Sequence, residues 1–380
     1  MHRRHDRRGI DQRPGGPERV VERETARFEL GRESAIKDGR AVPLEERSEG
    51  VGHGQDETTC PFAVSRRSLN LSRCVPMRGM NKLCIIGLLA LVGPMVPALA
   101  AGDAEFQKTE QAWRDGRVKR LTSPNGWLTL VGLHWLQPAD NVFGSDPDCA
   151  VPLPAGKAPK RAGVLVLDAG SVRMKPEPAA GLTIDGQPAT ERVLGDDTAE
   201  KTDVVTLGTL SFFVIRRGDR IGVRVKDSAS PVRTGFKGID YFPADPKWRV
   251  TGSFTPYEAP KKVAVPTVLG TTETMEAPGL VKLTIDWKDM TLEPVVEDPK
   301  EPMLWFIFKD GTSAKETYGG GRFLYAEMPK DGKVVVDFNQ AYNPPCAFTP
   351  YATCPLPPKQ NWLPVRVEAG EKVFAGGHHE

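Results

Sequence analysis

From Asn141 to Val250 the chain alternates apolar and polar residues in short runs. Val164–Leu167, Ser171–Met174, Leu182–Ile184, Val204–Thr206, Ser211–Arg216 and Gly222–Val225 fit strands, broken by Asp168-Ala169-Gly170, Asp185-Gly186 and Arg217-Gly218-Asp219. Short strands between turn signals, with no helical pattern separating them, predict a sandwich or barrel rather than βαβ units. Helical spacing occurs earlier, where Asp103 can cap a helix to about Arg120 that puts Phe106 and Trp113 on one face. The run Trp127–Leu136 is apolar throughout and reads as one or two strands. Residues 226–262 read as a long connection ending in the strand Trp248–Phe254. A second β-rich series follows in Val263–Leu269, Leu280–Trp287, Thr291–Val296 and Met303–Lys309. Asp331-Gly332 then marks a hairpin turn between residues 322–327 and 333–338. The fold class predicted is mainly β: an N-terminal helix over 103–121, then two sandwich- or barrel-like units over 122–258 and 259–376.

Composition changes the picture for the first hundred residues. Residues 1–79 hold 15 Arg but no Trp or Tyr, although the chain has seven Trp and six Tyr. Such a segment buries too little apolar surface to offset the entropy of ordering, so it reads as disordered, or as untranslated sequence upstream of a start at Met77 or Met80. Residues 80–100 have the layout of a secretory signal: Lys82, an apolar Leu83–Val92, and Ala98-Leu99-Ala100 before the cleavage point. An exported protein, periplasmic or secreted, is the expectation. Residues 101–380 carry 34 Lys+Arg against 36 Asp+Glu, a net charge of −2. With no basic excess, nucleic acid is not an expected partner. No stable membrane span is expected after signal cleavage, and oligomeric state is not legible.

Reaction chemistry is hard to assemble from what remains. His134 is the single histidine between the leader and the His378-His379 tail, and no G-x-S-x-G elbow accompanies it. Cys346 and Cys354 have no nearby histidine to complete a zinc set, so no metal is expected. Gly319–Gly321 open a strand and lack the lysine of a phosphate loop, and no cofactor is implied. If 322–327 pairs with 333–338 across an even loop, Arg322, Asp337 and Asn339 share a face, with Phe323, Tyr325, Val334, Val336 and Phe338 opposite as core. Tyr318, Arg322, Asp337, Asn339, Tyr342 and Asn343 are therefore the candidate ligand-binding residues, with a structural Arg322–Asp337 pair as the alternative. Cys346 and Cys354 enclose seven residues among prolines and are the candidate disulfide, worth on the order of 2–3 kcal/mol. Asn343–Pro358 reads as a rigid irregular loop.

Two resemblances attach to these residues. DNVFGSDPDCAVPLP, GVLVL, SVRM and LTIDG follow the order of forkhead-associated β-sandwiches, in fold only. Gly144 is followed by Ser145 where that family has an arginine, so phosphopeptide binding is not carried over. GRFLY (321–325), DFNQAYNPPCAF (337–348), CPLPP (354–358) and AGEK (369–372) resemble the signature of domain-of-unknown-function family 1684. The likeness extends through Trp127–Leu136, Gly144–Pro147, Gly222–Asp227 and Phe236–Gly238, over roughly 105–374. It implies one module over most of the mature chain and no assigned activity. Three function classes stay open: a protein binding a small polar ligand or cell-envelope component around 318–361, a hydrolase using Asp337 or Asp227 as base near Tyr318, and a structural or interaction protein.

Overall fold

A computed structural model gives the fold of residues 97–377. The readings for residues 1–79, and for all but the end of the 80–100 leader, lie outside the described residues. Helix α1 spans Pro97–Leu121, beginning at Pro97 rather than Asp103. Proline suits a first helical turn, and the alanines after it continue the helix at little cost. Lys119 and Arg120 in its last turn complement the helix dipole. Helix α1 buries the charged Glu110 and Arg117 together with the apolar Leu121, and Trp113 packs against the core of the third sheet. The helix is tied down by hydrogen bonds from Gln107 to Ala244 O and from Arg114 to Phe242 O, both 3.0 Å.

Eleven short strands follow: β1 (Leu130–Trp135), β2 (Ala139–Gly144), β3 (Val151–Pro152), β4 (Gly163–Asp168), β5 (Ser171–Pro176), β6 (Thr183–Ile184), β7 (Gln187–Pro188), β8 (Arg192–Leu194), β9 (Val205–Leu207), β10 (Leu210–Arg217) and β11 (Arg220–Asp227). The run from Trp127 resolves into a single 3-10 turn and one strand, β1. Two sheets form, ordered β3-β2-β4-β5-β8 and β1-β11-β10-β9-β6-β7. Their facing residues share one core, with Phe143, Leu165 and Met174 from one sheet and Phe212, Val214 and Val223 from the other. Each such side chain contributes about 1.5–3 kcal/mol by leaving water.

The third sheet comprises β12 (Arg249–Pro266), β13 (Thr272–Ile285), β14 (Lys288–Leu292), β15 (Val295–Val296), β16 (Leu304–Phe308), β17 (Arg322–Ala326) and β18 (Lys333–Asp337). Its order is β17-β16-β15-β13-β12-β18, with β14 beside β13. It curls so that its end strands β17 and β18 approach one another, giving a near-barrel. The position 258/259, expected between units, falls inside β12, which pairs only within this sheet.

The expected hairpin between 322–327 and 333–338 does not form a ladder. Asp331 and Gly332 make the tight turn, with φ of 50° and 69°, and Lys330 bridges Lys333. Pro329 has no N–H to extend that pairing. β17 pairs instead with β16, and β18 with Arg249–Ser253 of β12. The face assignment changes with it. Leu324 and Ala326 share a core with Val334, Val336 and Phe338, whereas Phe323 pairs edge-on with Trp305 and Tyr325 stacks on it, in a different cluster.

Candidate functional site

The residues predicted to line a polar face are engaged inside the protein. Arg322 is 1% exposed and donates to Asp310 Oδ1 (3.2 Å), to Val367 O (3.0 Å) and to Ala369 O. Burial lowers its pKa, with Asp310 opposing that shift. It is a strut between β17 and the C-terminal segment. Asp337 caps a 3-10 turn, accepting from the backbone N (3.1 Å) and Nδ2 (2.8 Å) of Asn339. Asn339 in turn exchanges two 3.0 Å bonds with the backbone of Asp245. Asn343 receives Arg117 on its carbonyl, donates its own N–H to Glu371, and bonds Lys372 O through Nδ2. The Arg117 guanidinium lies 4.6 Å over the Tyr342 ring, and burial pushes the Tyr342 hydroxyl well up. Tyr318 is half-buried against Cys346 and its pKa is raised chiefly by burial. The six candidates thus divide among separate struts instead of converging.

The candidate base Asp227 is opposed by the Lys157 ammonium. Burial alone would raise its pKa, but Lys157 and the Ala229 N–H outweigh it and hold the carboxyl below its ordinary range. His134 sits on β1 with its pKa lowered by burial. Among the described residues no group of three His, Cys, Asp or Glu is placed to hold a metal ion. Cys346 and Cys354 are both free thiols in contact, with the Cys346 N–H donating to Cys354 Sγ at 3.2 Å. The bond from Cys354 lowers the Cys346 pKa, while burial raises that of Cys354.

The sequence reading did not select Arg224. It lies on β11 opposite Phe213 of β10 and Leu133 of β1, and Arg217 shares its face of the sheet. Strand alternation turns that face away from the sandwich core, so both arginines read as solvated. The signature loop covers them. Thr353 Oγ1 accepts from Arg217 Nε and from Arg224 Nη2, each at 3.2 Å, and Trp127 lies 5.4 Å from the Arg224 guanidinium carbon. Arg217 also pairs with Asp197 Oδ2 at 2.8 Å. Burial, then the neighbouring Arg224 charge, brings the Arg217 pKa down to about 9. Burial pushes Asp197 up to about 6 and raises Glu273 as well.

Arg117, Arg224 and Arg322 are all deeply buried, but their partners differ. Arg117 has Glu371 at 2.8 Å and Arg322 has Asp310. Among the described residues Arg224 has no carboxylate at ion-pair distance; its buried Nε has no hydrogen-bond partner, and neither has that of Arg322. Asp197 opposes the effect of burial on Arg224 through space, while its carboxylate is bonded to Arg217 at 2.8 Å. A guanidinium buried without a contacting carboxylate is costly. Chemically, such an arrangement can accept an anion.

A family model for proteins of unknown function, DUF1684, matches residues 234–372. An uncharacterised protein of Haloarcula marismortui, solved by solution NMR, is 31% identical over 37% of this chain and 78% of its own, with a TM-score of 0.32. The FhaA FHA domain, complexed with the intracellular domain of another protein, is 19% identical over 25% of this chain and 97% of its own, at a TM-score of 0.18. A structure from work on phosphothreonine-dependent FHA domain interactions is 20% identical over 26% of this chain and 96% of its own, also at 0.18. No curated protein matches the chain. Through the signature carried by β17, β18 and the loops after them, the chain belongs to the DUF1684 family of proteins of unknown function.

Proposed function

We propose that this is an exported binding protein for a small anion, seated where Arg224 and Arg217 meet the signature loop at Thr353. One observation carries the reading: Arg224 is buried with no carboxylate in contact, while Arg117 and Arg322 each have one. Evolution removes an uncompensated buried charge easily, since an apolar side chain of similar volume is usually as stable or more so. A ligand that supplies the missing negative charge is a reason to keep it. A small oxyanion or carboxylate fits best, because a guanidinium edge and a hydroxyl offer converging donors to planar or tetrahedral oxygens. The export part of the proposal rests on Lys82, the apolar Leu83–Val92 and Ala98-Leu99-Ala100.

The test is a thermal-shift series at constant ionic strength with chloride, sulfate, phosphate, acetate and citrate. Wild type should be stabilised by at least one of them, Arg224→Lys less so, and Arg224→Met not at all, with circular dichroism reporting an intact fold. Equal response from wild type and Arg224→Met across the panel would refute the reading.

A further inference from the structure

The third sheet carries a second feature, independent of the buried arginines. On β12, Ser253 stands in register between Lys282 of β13 and Lys333 of β18, and Thr251 stands opposite Val335. Thr284 faces Asp289 across the β13–β14 pair. Thr251, Ser253, Lys282, Thr284, Asp289 and Lys333 line a groove of about 430 Å³. Its donors and acceptors are partly fixed already: Asp289 accepts from Lys282 Nζ at 2.7 Å and from Thr284 Oγ1 at 2.8 Å. With Lys282 neutralised by Asp289, the lining carries one further charge, Lys333.

Beside this groove the β13–β14 hairpin turns through Asp286 and Trp287, with φ of 49° and 63°. Ile285 and Lys288 close the turn, and the next pair is Thr284 with Asp289 of the groove. A two-residue turn with both φ positive favours asparagine and glycine, and a bulky residue there is strained. Trp287 is nevertheless placed there and is 99% exposed. A strained backbone position that presents a large exposed aromatic ring points to use of that ring.

We infer that the groove and Trp287 together bind a neutral saccharide chain. Hydroxyls from Thr251, Ser253 and Thr284, with the Lys282–Asp289 pair, can donate to and accept from vicinal sugar hydroxyls. The flat apolar face of an indole suits the C–H face of a pyranose ring. The lining carries a net charge of +1 through Lys333, so a heparin oligosaccharide is the comparison that separates a neutral chain from a polyanion.

The inference is tested on the full chain with isotope-labelled tryptophan indoles, the Trp287 signal being assigned from Trp287→Phe. Chitotetraose, cellotetraose and maltotetraose are titrated in turn, with a heparin oligosaccharide and an apolar peptide as comparisons. At least one neutral tetrasaccharide should move the Trp287 signal, and Trp287→Gly should weaken its binding about tenfold or more. The thermal midpoint of that variant should hold or rise, because glycine accepts the turn. The inference is overturned if no neutral saccharide moves the signal up to about 10 mM, a range in which millimolar contacts still register. Equal affinity for Trp287→Gly, or preference for the heparin or peptide probe, overturns it as well.

Discussion

At the scale of single residues, the buried arginines behave as two kinds. Arg322 is committed to Asp310 and two carbonyls. Arg322→Met should therefore cost about 3–5 kcal/mol in urea unfolding, since the Asp310 carboxylate is left buried and uncompensated. A loss below about 1 kcal/mol would show that this strut is dispensable. Arg224 contacts no carboxylate, and Asp197, which feels its charge, keeps its ion pair with Arg217, so removal of Arg224 should cost far less. The proposed anion should also bind more tightly as pH falls. Asp197 has its carboxyl raised to about 6, among Arg216, Arg217, Arg224, Asp196 and Glu273. Protonation below that value removes a negative charge that competes with the ligand for the guanidiniums, whereas above it the carboxylate opposes binding. Asp197→Asn should flatten the pH profile between about 5 and 7, as read by titration calorimetry; an unchanged profile would separate Asp197 from the site.

At the scale of elements, the signature segments are explained by close approach and by the loop they build. Gly370 of the AGEK segment has φ of 76°, and a Cβ there would lie 2.3 Å from Ala341 O and 2.9 Å from Phe338 O. Gly370→Ala should destabilise by more than about 2 kcal/mol, combining backbone strain with a clash against main-chain atoms that have no room to yield. The loop from Pro345 carries Thr353 over the two arginines, and its thiols are already in contact. In protein purified from an oxidising compartment, Cys346 and Cys354 should be joined. Thiol titration after denaturation should find two fewer thiols than in the reduced protein, and equal counts would leave the loop unstapled. Much of this level was legible: the runs Val164–Leu167 and Ser171–Met174 and the turn at Asp331-Gly332 all appear in the fold. The partner of β18 was not. A turn signal joins neighbours in sequence, but Pro329 ends the local ladder and β12 supplies a longer edge.

At the scale of the molecule, burial depends on which unit covers which face, and alternation cannot report that. Arg224 follows a strand pattern that assigns it to solvent, and only a loop about 130 residues later in sequence encloses it. For the same reason Arg322 read as a site residue and proved to be internal. Helix α1 was legible as a helix from the Asp103 cap and the spacing of Phe106 and Trp113, but its docking through Arg117 and Glu371 was not. Among the described residues no helix is long and apolar enough to cross a membrane. The export proposal predicts a mature N-terminus at Ala101 in mass spectrometry of native protein. Peptides from residues 10–70 in the same sample would contradict that start.

The central claim, that Arg224 is kept for a ligand and not for the fold, is tested most directly by urea unfolding of wild type and Arg224→Met. The two are compared in a buffer of weakly coordinating ions and again with the best anion from the thermal series. The account predicts that Arg224→Met equals or exceeds wild type without the anion, and that only wild type gains stability when it is added. A variant less stable than wild type by several kcal/mol in both conditions would make Arg224 another strut and contradict the account.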